Sequence, residues 1–242
     1  STHTPAFSDN SRFNASSSTM NKLFPDNPYN TFNVTGNVTT KFYTMNHTMA
    51  FYGRYETSSP PVSGYGNSQN LTYDALMAAD ADINYSEYDQ DSDGYVDHLL
   101  VIHAGNDEAS SGVANDIWSH AWGLNSLAVK LDGKWLNAYP MLSESDPIGV
   151  YVHEFGHDLG LPDLYDTDYS SDGGCGRWEV MASGSWNNGG ASPSMLSAWC
   201  RIELGWISPT AVSADTAGLT DKRVFDNQTV FKIIVNNSNT EY

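Results

Sequence analysis

The sequence predicts an α+β fold, and three observations carry that prediction. A helix signal opens at Asp146-Pro147 and closes at Gly160, with two histidines four residues apart inside it. An Asp132-Gly133 pair stands between alternating apolar positions in "LAVKLDGKWLNAYPML", the strongest short-range signal of a hairpin. The run "HLLVIHAG" is apolar, β-branched and ended by Gly105, which reads as a central strand. The chain has 242 residues, 40% of them hydrophobic, enough for one large domain or one domain with appendages.

Taken in order, residues 1–36 are rich in Ser, Asn, Thr and Pro and read as an irregular leader. A short helix is expected over 37–46, then a strand "MAFYGRYE" and a Gly/Pro/Ser loop through Gly66. Leu76, Ala79 and Ile83 behind a Thr72 cap predict a helix over 72–82. "IWSHAW" reads as a second strand, before the hairpin. Asp146 is then the expected cap of the next helix, with Pro147 at its first position and Gly160 closing it in the left-handed conformation. A Gly/Asp-rich loop runs to about Asn188. Ser192-Pro193 opens another helix with Met195, Leu196, Trp199, Cys200 and Leu204 on one side and Gly205 as its stop. The main domain is placed at 37–210, and "VFKIIV" within 211–242 reads as the start of a following β-rich segment.

Charge and composition narrow the partners. With 29 acidic against 11 basic residues the formal charge is -18, which repels phosphate backbones and anionic lipid, so nucleic acid is not expected. No apolar run approaches the roughly 18 residues a membrane span needs, so no membrane insertion is expected. The start "STHTPAFSDN" has neither a basic nor an apolar segment and reads as a mature or excised fragment. Eight N-x-S/T sequons, at Asn14, Asn33, Asn37, Asn46, Asn70, Asn84, Asn227 and Asn236, suggest an extracellular glycoprotein. The only cysteines, Cys175 and Cys200, suggest one disulfide closing a loop of about 25 residues, worth roughly 3 kcal/mol by loop entropy. The alternative is a buried free thiol at Cys200.

The chemistry concentrates in "HEFGHDLGLPD", residues 153–163. Residues four apart share a helix face, so His153 and His157 can aim both imidazoles at one ion while Glu154 projects beside it. Neutral imidazole suits Zn²⁺, and a catalytic zinc takes three protein ligands and keeps a fourth position for water. Gly160 permits a sharp exit from the helix, after which Asp163 can swing back as the third ligand. An HExxH match arises by chance on the order of once in 150 such chains, and with the Gly and Asp at their spacings roughly once in 20,000. The implied reaction is amide hydrolysis: zinc lowers the pKa of its bound water, and Glu154, as general base, accepts the water proton and returns it to the leaving amine.

A second acidic motif, "DQDSDGYVD", places Asp89, Asp91, Asp93 and Asp97 at alternating positions around Gly94, as in a calcium loop. Position 12 is Leu100 where a helical calcium loop needs a bidentate acid. The motif therefore predicts a structural Ca²⁺ site leading into a strand, with Asp89, Asp91, Asp93, the Tyr95 carbonyl and Asp97 as ligands. Asp166, Asp168 and Asp172 offer a weaker second site.

"HEFGHDLGLPDLYD", together with "GRWEVMASGSW", "MLSAWCRIELGW", "YDQDSDGYVDHLLVIHAG" and "DIWSHAW", resembles the immune inhibitor A family of secreted zinc metallopeptidases, which is metzincin-like. The resemblance covers roughly residues 42–206. It implies a zincin catalytic domain with a twisted mixed sheet, a backing helix and an active-site helix, and endopeptidase activity on proteins outside the cell. On it, His153, His157 and Asp163 are zinc ligands, Glu154 is the base, and Met181 belongs to the turn beneath the metal. Asp166 and Glu179 remain alternative third ligands. No tyrosine follows Met181 in "ASGSWNN" to hold the oxyanion, which leaves Tyr165, Tyr169 or His120 for that role. Protein or peptide substrates are expected to pair with an edge strand, with "LNAYPML" as the candidate edge. The alternatives are a non-proteolytic metal-bearing adhesion domain and a hydrolase of small amides; a monomer is the default.

Overall fold

The histidine-bearing helix packs mainly against the strand of residues 138–143, which is central in the principal sheet, while "HLLVIHAG", read as a central strand, lies at that sheet's edge. The computed structural model describes residues 20, 34, 36–54, 67–168, 170–171, 173–212, 218–220 and 229–233. In chain order the elements are α1 (Met49–Gly53), α2 (Ser68–Ala79), β1 (Val101–His103), α3 (Glu108–Ser111), β2 (His120–Gly123), β3 (Val129–Leu131), β4 (Lys134–Leu136), β5 (Ala138–Ser143), α4 (Ile148–Asp158), α5 (Ala198–Glu203), β6 (Thr210–Val212) and β7 (Phe231–Ile233). The leader expected over 1–36 lies almost wholly outside the described residues, but its Met20 and Val34 are buried in the main core.

Among the described residues the principal sheet has three strands in the order β1-β5-β2, with β1 parallel and β2 antiparallel to β5. This is a mixed sheet, in keeping with the α+β prediction. "LNAYPML" does not form its edge. Five of the six residues of β5 are buried, as a strand flanked on both sides should be. The edge facing the functional cleft is β2. Pro140 is tolerated in β5 because β1 pairs only with Met141–Ser143, so the first half of β5 has a ladder on one side alone. The predicted hairpin forms between β3 and β4, with Asp132 and Gly133 both at positive φ, 47° and 83°, as its tight turn requires.

Several boundaries differ from expectation, each for a tertiary reason. No helix forms over 37–46; instead the stretch read as a strand contributes the single helical turn α1. Tyr52 is buried there and donates to Asp74, while the Asn67 amide donates to the Phe51 carbonyl. With Asn67 so engaged, α2 begins at Ser68, and Thr72 lies buried within the helix rather than capping it. Asp146 does not cap α4, because its carboxylate is turned to Ser119 and Ser143. Ser197, not Ser192, caps α5 by accepting from the Cys200 amide.

One core lies beneath α4, where Val152, Phe155, Leu142, Met181, Leu196 and Cys200 meet. A second, around Tyr52, Leu76, Tyr85, Leu136 and Met141, joins α2 and the hairpin to the sheet. The expected disulfide is absent: Cys175 sits exposed on a loop, while Cys200 is a buried thiol whose sulfur lies 3.5 Å from a Glu179 oxygen. Burial, reinforced by the Glu179 charge, pushes that thiol up to about 12. Of the sequon asparagines, Asn37, Asn46, Asn70 and Asn84 are exposed, and the other four lie outside the described residues. Among the described residues no helix is long and apolar enough to cross a membrane.

Candidate active site

Helix α4 presents its C-terminal half to a cleft of about 490 Å³, whose opposite wall is β2 with the half-exposed Trp118 and Trp122. The helix ends where glycine allows: Gly160 has φ 94°, its N–H bonds to the His157 carbonyl, and the Leu161 N–H reaches back to the Gly156 carbonyl. That exit turns the chain so that Asp163 faces the histidines. Its Oδ1 lies 3.2 Å from His153 Nε2 and 3.1 Å from His157 Nε2, and the two Nε2 atoms are 3.2 Å apart.

The other ring nitrogens settle the chemistry of these three atoms. His153 Nδ1 donates to the Val180 carbonyl at 2.9 Å, and His157 Nδ1 to the Leu161 carbonyl at 2.8 Å. A carbonyl can only accept, so in neutral imidazoles both Nε2 atoms carry lone pairs. Two lone-pair nitrogens and a carboxylate oxygen do not close to this distance without a proton or cation among them. The separations also approach the roughly 3.3–3.4 Å edge of a tetrahedron with bonds of about 2.0–2.1 Å. The donor set therefore fits a tetrahedral N,N,O metal site.

Electrostatics point the same way. Burial acts to raise Asp163, but both histidines outweigh it and hold the carboxyl well below the usual carboxylate range. Burial acts to lower His153 and His157, yet the Asp163 carboxylate raises both. Glu154 is buried beside them in the same cleft, and burial raises its carboxyl against the lowering effect of the histidines.

The floor is built to fit. Met181 is fully buried under α4, and a methyl group at Gly156 would collide with its sulfur. Gly149 likewise brings α4 against the Ser185 and Gly190 carbonyls. Glu179 is not placed as a ligand: one oxygen accepts from the Met181 amide and the other from the Ser197 amide, 2.6 Å away. Asp166 is engaged by Ser171 and the Asp168 amide, and stands outside the histidine cluster. Asp158, next to His157 in sequence, pairs with His98 at 2.6 Å.

Residues 6–206 match the Immune inhibitor A peptidase M6 catalytic domain. The chain belongs to that family. It is 33% identical over 215 residues to the pre-pro-metalloprotease PrtV of Vibrio cholerae serotype O1, covering 75% of this chain and 23% of that protein. It is 32% identical over 210 residues to Immune inhibitor A of Bacillus thuringiensis subsp. alesti, covering 74% of this chain and 30% of that protein. The chain thus spans 23–30% of the relatives' length. By family it is a metallopeptidase catalytic domain.

Of the residues considered for the oxyanion, Tyr165 lines the cleft with its ring stacked 6.4 Å from that of His153. His120 also lines the cleft, but its Nδ1 donates to the Trp118 carbonyl and its Nε2 lies 3.3 Å from the Tyr139 and Ser68 hydroxyls. Burial pushes it down to about 4, so it is neutral. Tyr169 and Asp172 lie outside the described residues.

The acidic loop brings Asp89, Asp91 and Asp97 together, with one oxygen of each within 4.8 Å of the others. Asp93 is not in that group; it caps the Tyr95 amide at 2.7 Å. Asp89 accepts from the Asp93 and Gly94 amides and from the Lys134 ammonium, which reaches over from the hairpin. Tyr95 lies beside Trp135 in a bridge to β4, and nothing places its carbonyl in the cluster.

Proposed function

We propose that this domain is a secreted zinc endopeptidase that cleaves extended protein segments. The observation that carries the reading is the convergence of His153 Nε2, His157 Nε2 and Asp163 Oδ1 to within 3.2 Å, beside the buried Glu154, in a cleft walled by an edge strand. His153, His157 and Asp163 hold the metal. When bound, zinc polarises the scissile carbonyl and makes water acidic enough to attack at neutral pH. Glu154 takes the proton from the attacking water and passes it to the leaving nitrogen, a shuttle suited to a carboxyl whose pKa is raised by burial. A substrate strand pairs with β2 rather than with β5, and main-chain hydrogen bonds hold it straight across the site. Tyr165 is the candidate partner of the developing oxyanion, and Met181 is the methionine of the turn beneath the metal.

The acidic loop is read as a structural calcium site of Asp89, Asp91 and Asp97. Its support is that one oxygen of each of these three carboxylates lies within 4.8 Å of the others. Asp93 and Tyr95 shape the loop.

The test is cleavage of an unfolded protein by the purified chain. Activity abolished by a chelator and restored by zinc is expected. Metal-replete protein that binds the polypeptide without cutting it would favour the adhesion reading, and cleavage indifferent to chelation would overturn the zinc assignment.

A further inference from the structure

Asp146 carries the signals of a helix cap and does not act as one. Its carboxylate points away from α4. Oδ2 accepts from the Ser119 hydroxyl at 2.6 Å and from the Ser143 amide at 2.7 Å. Ser119 immediately precedes β2, and Ser143 ends β5. The Ser143 carbonyl in turn accepts from Tyr151 of α4 at 3.0 Å. One buried carboxylate, two residues ahead of α4, therefore ties the start of the cleft edge strand to the end of the central strand and the head of the histidine helix.

Ser119 is held from its other side as well. Its amide donates to Asp107 at 2.8 Å, and Asp107 also caps α3 by accepting from the Ser110 amide. Next in sequence, His120 Nδ1 is bound to the Trp118 carbonyl at 2.6 Å, which sets the backbone as it enters the cleft. The arrangement carries an electrostatic cost. Burial raises the Asp146 carboxyl to about 7, and the charges of Asp107, from the α3 cap, and Glu154, from α4, add to the rise. Beyond Asp107 stand His103 of β1 and His120 of β2, each with its pKa lowered by burial. An acid held among acids is poorly suited to filling space, for which a neutral side chain would serve better. Its use lies in receiving two donors on one oxygen, so that β2 and α4 keep a fixed spacing.

We propose that Asp146 is a positioning residue, setting the substrate-pairing strand β2 against the helix that carries His153, Glu154 and His157. This rests on the reading of the cleft as a peptidase site. An extended substrate paired on β2 meets Glu154 at a distance set by Asp146, and loss of that tie weakens substrate capture more than turnover.

Two readouts test it in the full chain. Kinetics on an extended peptide compare Asp146→Asn, which keeps an acceptor oxygen for both donors, with Asp146→Ala, which keeps none. Hydrogen exchange follows the amides of 119–123 against those of α4. Asp146→Ala should raise KM about tenfold, the loss expected for charge-assisted bonds to a buried group, with a smaller fall in kcat. It should speed exchange in 119–123 more than in α4. Asp146→Asn should restore both towards wild type, and Ser119→Ala, which removes one donor, should fall between. Asn and Ala behaving alike, or exchange in 119–123 no faster in Ala than in wild type, would overturn the proposal. Should Asp146→Ala fail to fold, a Ser119→Ala protein with unchanged KM and unchanged exchange overturns it equally. A wild-type chain that cleaves nothing defeats the peptidase reading, while the exchange readout still decides what Asp146 holds.

Discussion

The histidine cluster of α4 and the acidic loop before β1 each gather three metal-competent side chains, and they do so in opposite ways. In the first, the ring nitrogens that do not face the common point are bound elsewhere: both Nδ1 atoms donate to backbone carbonyls, which leaves the Nε2 lone pairs aimed at one another. In the second, the carboxylate oxygens are already acceptors for their own loop, from the amides of Gln90, Asp93 and Gly94, with Lys134 supplying a positive charge. The first arrangement is one that a cation would complete. The second is a folded turn that a cation would have to enter by competition. A metal site is therefore better recognised by where its surplus hydrogen-bonding capacity points than by the number of acids in it.

The sharpest break between the two regions is catalytic. Replacing Glu154 by Gln should lower turnover about 10²–10⁴-fold while leaving bound zinc unchanged, since the base is not a ligand. Steady-state kinetics beside metal analysis will show it, and a variant cutting at the wild-type rate would remove Glu154 from the mechanism. Close behind comes Asp163→Ala. On the proposed assignment of Asp163 as a direct ligand, its loss should weaken zinc by more than the roughly 10–100-fold typical of residues that only support a ligand. Asp89→Ala should leave zinc affinity as it was. Competition with a chromogenic chelator measures both, and equal effects of the two substitutions would erase the distinction drawn between the regions.

The first region was largely legible in the sequence because its geometry is local. Four residues make one helical turn, and Gly160 followed by Asp163 is a short exit whose left-handed φ of 94° only glycine adopts freely. The Asp132-Gly133 turn was readable for the same reason. What escaped depends on partners distant in sequence. Asp146 bonds to Ser119, 27 residues away, so its position before a helix was a misleading cue. Asp158 pairs with His98, 60 residues away. The alternation in "LNAYPML" is compatible with an edge or a centre, and only the parallel arrival of β1 decides it. The acidic loop was legible as a turn, but the hairpin lysine that reaches into it was not.

The buried acid behind the first region allows a pH test. The folded carboxyl of Asp146 sits near 7, above its ordinary 3.8, so folding favours the protonated form. Stability present below about pH 4 is lost as pH rises towards 7 and then levels off. Asp146→Asn cannot ionise, so its melting temperature relative to wild type should climb between pH 4 and 8, by the equivalent of about 4 kcal/mol. A difference constant across that range would mean that the carboxyl is not burdened. A smaller effect is expected at Gly156. An alanine there presses on the Met181 sulfur, and because methionine can yield, the cost should be about 1 kcal/mol, read from chemical denaturation.

The smallest expected change is the one that bears most directly on the second region. The Lys134 ammonium bonds to Asp89, so an incoming calcium ion must displace it. Lys134→Met keeps the length and apolar contacts of the stem while removing the charge. If the loop is a calcium site, calorimetry on the chelator-stripped domain should show weak binding in wild type and a few-fold tighter binding in Lys134→Met, since the substitution removes the ammonium that competes for Asp89. Zinc affinity should be the same in both. Heat of calcium binding absent from both proteins would reduce the loop to a solvated acidic turn closed by its own lysine. Binding that weakens on removal of the lysine would mean that Lys134 organises the carboxylates rather than competing for them.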